Sequence, residues 1–326
     1  MFKSFTRILV VVLLMWTTGA SAQLNDAPHQ QWNQDIVGKS IVYIPVSLSL
    51  PLMNIWNDEL KLLASEAGIK FTTLDPNLNV NKENQMIASL IPKKPDLIIV
   101  HNPDRQALAR VLKAANDAGI YVIQINMGST YQSDAFIGVD AYDLGVKMGN
   151  AAAQACEAPG APSKNLALVT GSLVSQFSID QVKGQMAALA KHPDLKVVTK
   201  QVVNWDPKTD FDKVSTIVDA HKDLCAIVDE YDGEAVGAAR ALAIAGLTGK
   251  TKLITSGAGG KFACEHAASG QIDVNFSYQA RDQAIQFMTV AQYLLESHIK
   301  PGTVKTTIYT PSFEITKENM QDMGCK

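Results

Sequence analysis

The chain has 326 residues, of which 47% are hydrophobic and 19% are charged, and its formal net charge is -3 at neutral pH. This length is enough for two domains of about 100–200 residues, each with a sizeable core. Because the sequence carries no basic stripe that could neutralise phosphates, we exclude nucleic acid as a partner.

The N-terminal segment has the residue order of a secretory signal peptide. Lys3 and Arg7 precede the apolar run Ile8 to Trp16, and Ala20-Ser21-Ala22 provides a small-residue cleavage site. The apolar run is shorter than the ~20 residues of a membrane-spanning helix, and no cysteine follows the cleavage site to accept a lipid. We therefore predict cleavage near Ala22 and a soluble mature protein in the periplasm.

Short β-branched runs alternate with amphipathic stretches through the rest of the chain. In chain order, the predicted strands are Ser40 to Pro45, Ile69 to Leu74, Leu97 to His101, Tyr121 to Asn126, Ala135 to Val139, Leu166 to Thr170, Lys196 to Val203, Ala226 to Asp229, Lys252 to Ser256 and Asp273 to Ser277. The predicted helices are Trp56 to Gly68, Asn81 to Ile91, Ala107 to Gly119, Leu144 to Cys156, Ser178 to Lys191, Phe211 to His221, Gly233 to Ala245 and Arg281 to Ser297. Such alternation, with strands apolar on both faces, is typical of parallel sheets covered by helices and predicts an α/β fold.

The pattern divides into two groups of strand–helix units. The first group ends near Asp140, and the second begins near Leu166 after the loop Ala158 to Lys164, which is rich in Pro, Ala and Gly. We interpret this repetition as two similar, doubly wound α/β domains. Because such sheets bind ligands at the carboxyl ends of their strands, we expect a site in the crevice between the domains.

The cysteines Cys156, Cys225, Cys264 and Cys325 fit two disulfides in an oxidising compartment. Three pairings are open, and the alternative is that some cysteines are buried free thiols. We favour Cys156 with Cys225, since each precedes an apolar strand of one predicted sheet, and Cys264 with Cys325. The wide spacing does not match a zinc site or a redox pair.

Several segments resemble a known family when they are taken in order. They are Ile44 to Pro51, Pro95 to Pro103, Ala118 to Asn126, Ile137 to Asp140 with Gly145, and Ala226 to Leu242. Over nearly all of the mature chain, the sequence resembles the type I periplasmic sugar-binding proteins, the ribose- and galactose-binding family. The ligand domains of LacI-type repressors share that fold.

The resemblance implies two domains joined by three hinge crossings, near Asp140, Gln279 and Thr310. After a signal peptide of residues 1–22, the implied domains are residues 24–140 with 280–309 and residues 141–279 with 310–326. The resemblance also implies a monomer without a cofactor, which closes on a small ligand and then docks on an ABC permease. A sensory role, with a chemoreceptor or a sensor kinase as the partner, stays open.

The sequence departs from the family at positions whose charged side chains form hydrogen bonds with sugar hydroxyl groups. The arginine expected after Thr170-Gly171 is absent, Gly257 replaces an expected Asp, and Asn126 and Met127 replace an Asp-Arg pair, whereas the crossover Gln279 is kept. Each lost charge-assisted hydrogen bond is worth about 1.5–3 kcal/mol. We therefore predict an atypical polyhydroxylated ligand, such as a polyol or a modified sugar.

The candidate ligand-binding residues are the polar, apolar and acidic side chains that the resemblance places around the cleft. They are Ser47, Ser49, Met53, Asn54, Trp56, Asn126, Met127, Asp140, Phe177, Asp180, Glu230, Tyr231, Asp232, Gly257 and Gln279. Five of them have structural alternatives: Trp56 in the core, Asp232 as a helix cap, Asp140 as a group that orients the hinge backbone, and Glu230 and Tyr231 as surface residues. Asn102 and Asp104 are interpreted as caps of the following helix.

Motifs for other activities are incomplete. Gly257 to Phe262 lacks the third glycine of a dinucleotide loop and the Ser or Thr of a phosphate loop. Asp75 to Asn81 lacks the turn glycine of a calcium loop. The acidic run Asp229 to Asp232 has no acid opposite it, which makes a secreted glycoside hydrolase a poor alternative. We predict a binding protein with no catalytic residue and no metal site.

Overall fold

The structure is a computed structural model, and it describes residues 26–323 and residue 325. The predicted signal peptide and its cleavage site at Ala22 lie outside these residues. The described chain forms two six-stranded sheets covered by helices, which confirms the predicted α/β fold.

Strands and helices alternate along nearly the whole described chain. The strands are β1 Ser40–Ile44, β2 Lys70–Thr73, β3 Leu97–Val100, β4 Tyr121–Ile125, β5 Ala135–Val139, β6 Asn165–Thr170, β7 Lys196–Val202, β8 Ala226–Asp229, β9 Lys252–Gly257, β10 Val274–Ser277, β11 Thr306–Thr310 and β12 Phe313–Thr316. The helices are α1 Ala27–Asp35, α2 Pro51–Glu66, α3 Val80–Leu90, α4 Ala109–Asp117, α5 Ala141–Glu157, α6 Gln176–Leu189, α7 Pro207–Ala220, α8 Asp232–Ile244, α9 Gly260–Ser269 and α10 Ala280–Ser297. Among these helices, none is both long enough and apolar enough to cross a membrane.

The two sheets have the same internal order. The first sheet runs β11-β5-β4-β3-β1-β2 and the second runs β12-β10-β9-β8-β6-β7. Neighbouring strands are parallel except β10 and β12, which are antiparallel. The chain passes between the sheets at residue 140, at residues 278–279 and at residues 311–312, at or beside the predicted hinge positions.

Alternate residues of the central strands face opposite helical layers. In β1, Ile41 and Tyr43 pack in the core shared with α2 and α10, whereas Val42 and Ile44 pack in the core shared with α3 and α4. Burial on both faces is the reason that these strands appear as continuous apolar runs in the sequence.

Each predicted strand and helix is present, with ends that differ by a few residues. The structure adds α1, α9, β11 and β12. β11 and β12 are edge strands that carry exposed side chains such as Tyr309 and Phe313, so no buried apolar run marks them in the sequence.

Two glycines allow α5 and α6 to pack closely. A Cβ atom at Gly145 would overlap the backbone oxygen of Gln181, and a Cβ atom at Gly184 would overlap the backbone oxygen of Tyr142. Neither glycine has a positive φ, so the close approach of the two backbones is what requires glycine here.

The structure confirms both favoured disulfides. Cys156, in the last turn of α5, pairs with Cys225 just before β8, with a Cα–Cα distance of 4.9 Å. Cys264 of α9 pairs with Cys325, with a Cα–Cα distance of 5.5 Å. Both disulfides join elements of the second half, and neither links the two halves to each other.

Candidate functional site

The carboxyl ends of the two sheets face each other across a narrow cleft. The halves touch there, because the backbone N–H of Leu52 donates to the Tyr231 hydroxyl over 3.2 Å. The N–H of Arg105 also donates to the carbonyl of Val174 over 3.1 Å. The structure is therefore the closed arrangement, with a cavity of about 30 Å³ between the halves.

Most of the residues that line this cavity are apolar. The lining residues are Val46, Leu50, Leu52, Met53, His101, Asn126, Met127, Phe177, Trp205, Glu230, Tyr231 and Tyr278. We refer to Val46, Leu50, Leu52, Met53 and Met127, all from the first half, as the apolar wall. Aromatic rings from the second half form the opposite side.

The start of α2 positions much of the apolar wall. Pro51 occupies the first helical position, where a missing N–H costs nothing. This turn holds Leu50, Leu52 and Met53 at the cleft. Because the first N–H groups of a helix have no partner within the helix, the N–H of Leu52 is free to bond to Tyr231.

Glu230 lies at the cavity with all of its acceptor capacity in use. Its Oε2 accepts from Thr170 Oγ1 over 2.7 Å and from the N–H of Gly171 over 2.8 Å. Its Oε1 accepts from Ser178 Oγ over 2.7 Å and from Trp205 Nε1 over 2.9 Å. Since a carboxylate has about four lone-pair sites, Glu230 organises the second half rather than offering a free acceptor to a ligand.

His101 and Asn126 each have side-chain nitrogens at the cavity without a hydrogen-bond partner among the described residues. Both ring nitrogens of His101 and the Nδ2 of Asn126 are buried without a partner among the described residues. Burial lowers the pKa of His101 to about 3, so its imidazole is neutral at ordinary pH. Asn126 Oδ1, in contrast, accepts from the N–H of Val139 over 3.0 Å and from Gln283 Nε2 over 3.2 Å.

Trp56 is a core residue in this structure. Its side chain is fully buried and packs edge-on against His101, with ring centroids 5.2 Å apart, and against Phe287, with centroids 5.4 Å apart. It does not line the cavity but supports the ring of His101 from behind.

Asp232 and Gly257 also lie behind the cavity rather than in its wall. Asp232 is buried and accepts from Asn275 Nδ2 over 3.1 Å. Burial raises the pKa of Asp232 to about 7. A side chain at Gly257 would overlap the Asp232 carboxyl, so glycine is required there by packing. The N-cap of α8 is Tyr231, and Asp232 makes no side-chain cap.

Ser47, Ser49 and Asn54 lie in the loop and first turn around α2 and do not line the cavity. Ser47 Oγ lies 2.8 Å from Ser49 Oγ, and Asn54 Nδ2 donates to the carbonyl of Leu48 over 2.5 Å. Gln279 lies at the second passage with a φ of 54°, and its Nε2 donates to Ser277 Oγ over 3.2 Å.

A second concave region lies beside the hinge. It is an open groove of about 580 Å³ whose lining includes Asp140, Phe177 and Asp180. Asp140 caps α5 by accepting from the N–H of Asp143 over 3.0 Å, as its structural alternative predicted. Asp180 accepts from Gln176 Nε2 over 2.6 Å. The candidates from the sequence are thus divided between the cavity, its supporting layer and this groove.

Several cavity residues are absent from the candidates drawn from the sequence. His101, Trp205 and Tyr278 each follow a strand directly or within a few residues, and this position was the signal that could have identified them. Asn102 was predicted to cap a helix, but this is wrong: its amide is buried without a partner in the described chain. The same prediction for Asp104 is also wrong: it accepts from the N–H groups of Gln106 and Ala107 in the turn before α4, whose N-cap is Leu108.

The described residues offer no grouping of three or more His, Cys, Asp or Glu side chains that could hold a metal ion. The closest acidic cluster is Asp210, Asp229 and Glu234 in the second half. Its carboxyl groups are buried, and burial raises the pKa of each. Asp210 Oδ2 accepts from the N–H of Ala238 over 2.5 Å, whereas the carboxyl oxygens of Asp229 and Glu234 are buried without a hydrogen-bond partner among the described residues.

Two α/β halves, three passages between the sheets and a cavity at the strand ends define the class of periplasmic binding proteins. Residues 41–299 match the periplasmic binding protein domain family, and the chain belongs to that family. The family is one of solute-binding proteins.

Curated relatives and solved structures agree with this assignment. The chain is 24% identical over 267 residues to the D-apiose import binding protein of Actinobacillus succinogenes, covering 81% of this chain and 83% of that protein. It is 24% identical over 252 residues to the ribose import binding protein of Escherichia coli, covering 75% and 77%. A Caulobacter myo-inositol binding protein solved with myo-inositol has a TM-score of 0.78 and 23% identity, over 87% of this chain and 95% of that one.

Proposed function

We propose that this protein captures a small, neutral sugar, polyol or modified sugar between its two halves and delivers it to an ABC permease. The observation that carries the proposal is a set of buried side-chain nitrogens without a partner among the described residues, both of His101 and the Nδ2 of Asn126, at a cavity between the two sheets. The relatives that are described as binding apiose, ribose and myo-inositol support the ligand class.

Neutral groups at the cavity support a neutral ligand. Residues that line it include no Lys or Arg, and the Glu230 carboxyl is already bonded to four donors. An anionic ligand would therefore be buried without an opposite charge, which is costly, and a cationic ligand would find no free acceptor on Glu230.

The remaining parts of the proposal follow the family. The protein is exported, cleaved near Ala22 and works in the periplasm as a monomer. Its moving units are residues 24–140 with 280–309 and residues 141–279 with 310–326, a division that the membership of the two sheets supports. The relatives with import functions favour a permease as partner over a chemoreceptor or a sensor kinase.

A thermal-shift screen of the mature protein tests the proposal, with pentoses, hexoses, cyclic and linear polyols, and amino acids as probes. A ligand at 100 times its dissociation constant stabilises the folded protein by about 2.7 kcal/mol, which raises the melting temperature measurably. We expect at least one sugar or polyol to do so. A shift with amino acids alone would reject the proposed ligand class, and so would the absence of a shift with every probe. Turnover of a bound glycoside would reject the binding role.

A further inference from the structure

We propose that the ligand carries a continuous apolar face, as deoxygenated or O-methylated cyclic polyols do, and that its hydroxyl groups lie along one edge facing His101 and Asn126. This inference rests on the proposed function and specifies the ligand class of the same site. The groups at the cavity that can still form a hydrogen bond determine where the ligand can carry its hydroxyl groups.

The apolar wall presents no side-chain donor or acceptor apart from the weakly accepting sulfur atoms of its methionines. Val46, Leu50, Leu52, Met53 and Met127 are all buried and all line the cavity. A hydroxyl group placed against this wall would lose its bonds to water and gain none from these side chains. A CH₂ or CH₃ group in the same place would gain from leaving water.

All but one of the polar side chains on the opposite side are bonded within the second half. Glu230 accepts four hydrogen bonds there, and the Tyr278 hydroxyl lies 2.7 Å from Ser256 Oγ. The exception is the Tyr231 hydroxyl, which accepts from the N–H of Leu52 in the first half and is released when the halves separate. Trp205 Nε1 is committed to Glu230. These groups therefore present mainly ring faces and edges to a ligand.

The side-chain atoms at the cavity that are buried without any partner among the described residues lie together in the first half. They are the two ring nitrogens of His101, one a donor and one an acceptor, and the Nδ2 donor of Asn126. These residues directly follow β3 and β4, which are neighbours in the first sheet. A ligand with its hydroxyl groups on one edge would satisfy them, whereas a ring hydroxylated all round would leave hydroxyl groups against the apolar wall.

The wall can adapt to such a ligand. The present cavity of about 30 Å³ is much smaller than a sugar ring, so the ligand enters only when the halves separate and the Leu52–Tyr231 hydrogen bond breaks. Met53 and Met127 have unbranched, flexible side chains that reshape easily around an apolar surface.

Matched ligand pairs test the inference, with dissociation constants measured by isothermal titration calorimetry on the mature protein. The pairs are pinitol with D-chiro-inositol, 2-deoxy-D-ribose with D-ribose, and L-fucose with L-galactose. Each second compound differs from the first by one added hydroxyl or by a hydroxyl in place of a methoxyl group. We expect the less hydroxylated member to bind at least about tenfold more tightly in any pair that binds, which corresponds to about 1.4 kcal/mol.

The outcomes separate this inference from the proposed function. If the fully hydroxylated members bind as tightly or more tightly, the apolar-face inference is overturned and the importer role stands. If no member of any pair binds and the wider sugar and polyol screen is also negative, both are overturned.

A substitution in the wall provides a second test. Met127→Gln keeps the length of the side chain and adds an amide to the apolar wall, so the preference for the less hydroxylated member should fall by about tenfold. Met186→Gln, on an exposed part of α6, is the matched control and should leave the preference unchanged. An unchanged preference in Met127→Gln would count against the inference. If that variant fails to fold, Met53→Gln takes its place.

Discussion

The two amide atoms of Asn126 differ in their hydrogen bonding. Its Oδ1 joins the end of β5 to α10 through Val139 and Gln283, while its Nδ2 remains available at the cavity. Its φ of 48° is in the left-handed region, which Asn tolerates better than most residues. A truncation at this position would therefore lower both stability and binding, and it would not separate the two roles.

A substitution at His101 separates the effect on stability from the effect on ligand binding better than one at Asn126. In His101→Leu, two buried nitrogens without a partner in the described chain are removed, so we expect the melting temperature of the empty protein to stay the same or rise. We expect ligand affinity to fall at least about tenfold, because two hydrogen-bonding groups are lost. Differential scanning fluorimetry and calorimetry measure the two quantities. A lower melting temperature with unchanged affinity would make His101 a structural residue.

Buried carboxyl groups predict how stability depends on pH. Burial raises the pKa of Asp210 and of Asp232 to about 7. In the unfolded chain an Asp titrates near ~3.9, so the folded protein binds more protons between about pH 4 and pH 7. The stability that these groups contribute is complete below about pH 4 and is lost as the pH rises through about 7.

We expect the free energy of unfolding, measured with urea, to fall by at least about 1 kcal/mol between pH 5 and pH 8. Asp210→Asn keeps an acceptor for the N–H of Ala238, which Asp210 Oδ2 accepts over 2.5 Å, and should reduce the slope. Stability that rises over this interval would contradict the assignment of raised pKa values.

At the level of elements, the pair α5 and α6 is the most restrictive contact in the second half. Gly145 on α5 and Gly184 on α6 each face the backbone of the other helix. A glycine in the middle of a helix costs about 0.5–1 kcal/mol relative to alanine, so its presence in both helices indicates that close approach matters more here than helix propensity.

Gly184→Ala should therefore lower the free energy of unfolding by about 1–3 kcal/mol, as overpacked sites do, because the added methyl group meets the carbonyl of Tyr142. Gly128→Ala is the matched control. An added Cβ there would lie 3.5 Å from the Phe136 ring, which is an ordinary contact, and its effect should be within about 0.5 kcal/mol. Equal effects in urea denaturation would show that the helices can separate at no cost.

The elements were largely predictable from the sequence because the central strands of each sheet are buried on both faces. The site was less predictable, and Glu230 shows why. Its acidity and its position after β8 are readable, but its donors Thr170, Ser178 and Trp205 come from separate parts of the chain. Hydrogen-bond saturation depends on these long-range contacts, and no local pattern contains it. The same holds for Gly257, whose role is set by the buried carboxyl of Asp232.

For the whole molecule, both disulfides strengthen one half and leave closure free. The two cysteines are 69 residues apart in one disulfide and 61 residues apart in the other. For loops of this length, loop-closure entropy predicts roughly 4 kcal/mol of stabilisation for each disulfide. Neither pair includes a residue that lines the cavity.

We expect reduction of both disulfides to lower the free energy of unfolding by several kcal/mol, measured with urea in the presence and absence of dithiothreitol. Under conditions in which the reduced protein is still folded, its dissociation constant for the ligand should change by no more than about twofold. A large loss of affinity in the folded, reduced protein would show that the disulfides position the site.

The order of the strands also determines when each half can be completed as the chain emerges. The first sheet needs β11 at its edge, and its helical layer needs α10, yet both follow the whole of β6 to β10 in the chain. Because the chain is synthesised from its N-terminus, most strands of the second sheet are available before β11, the last strand of the first sheet. We therefore expect the first half to be completed only after residues up to 310 have been synthesised.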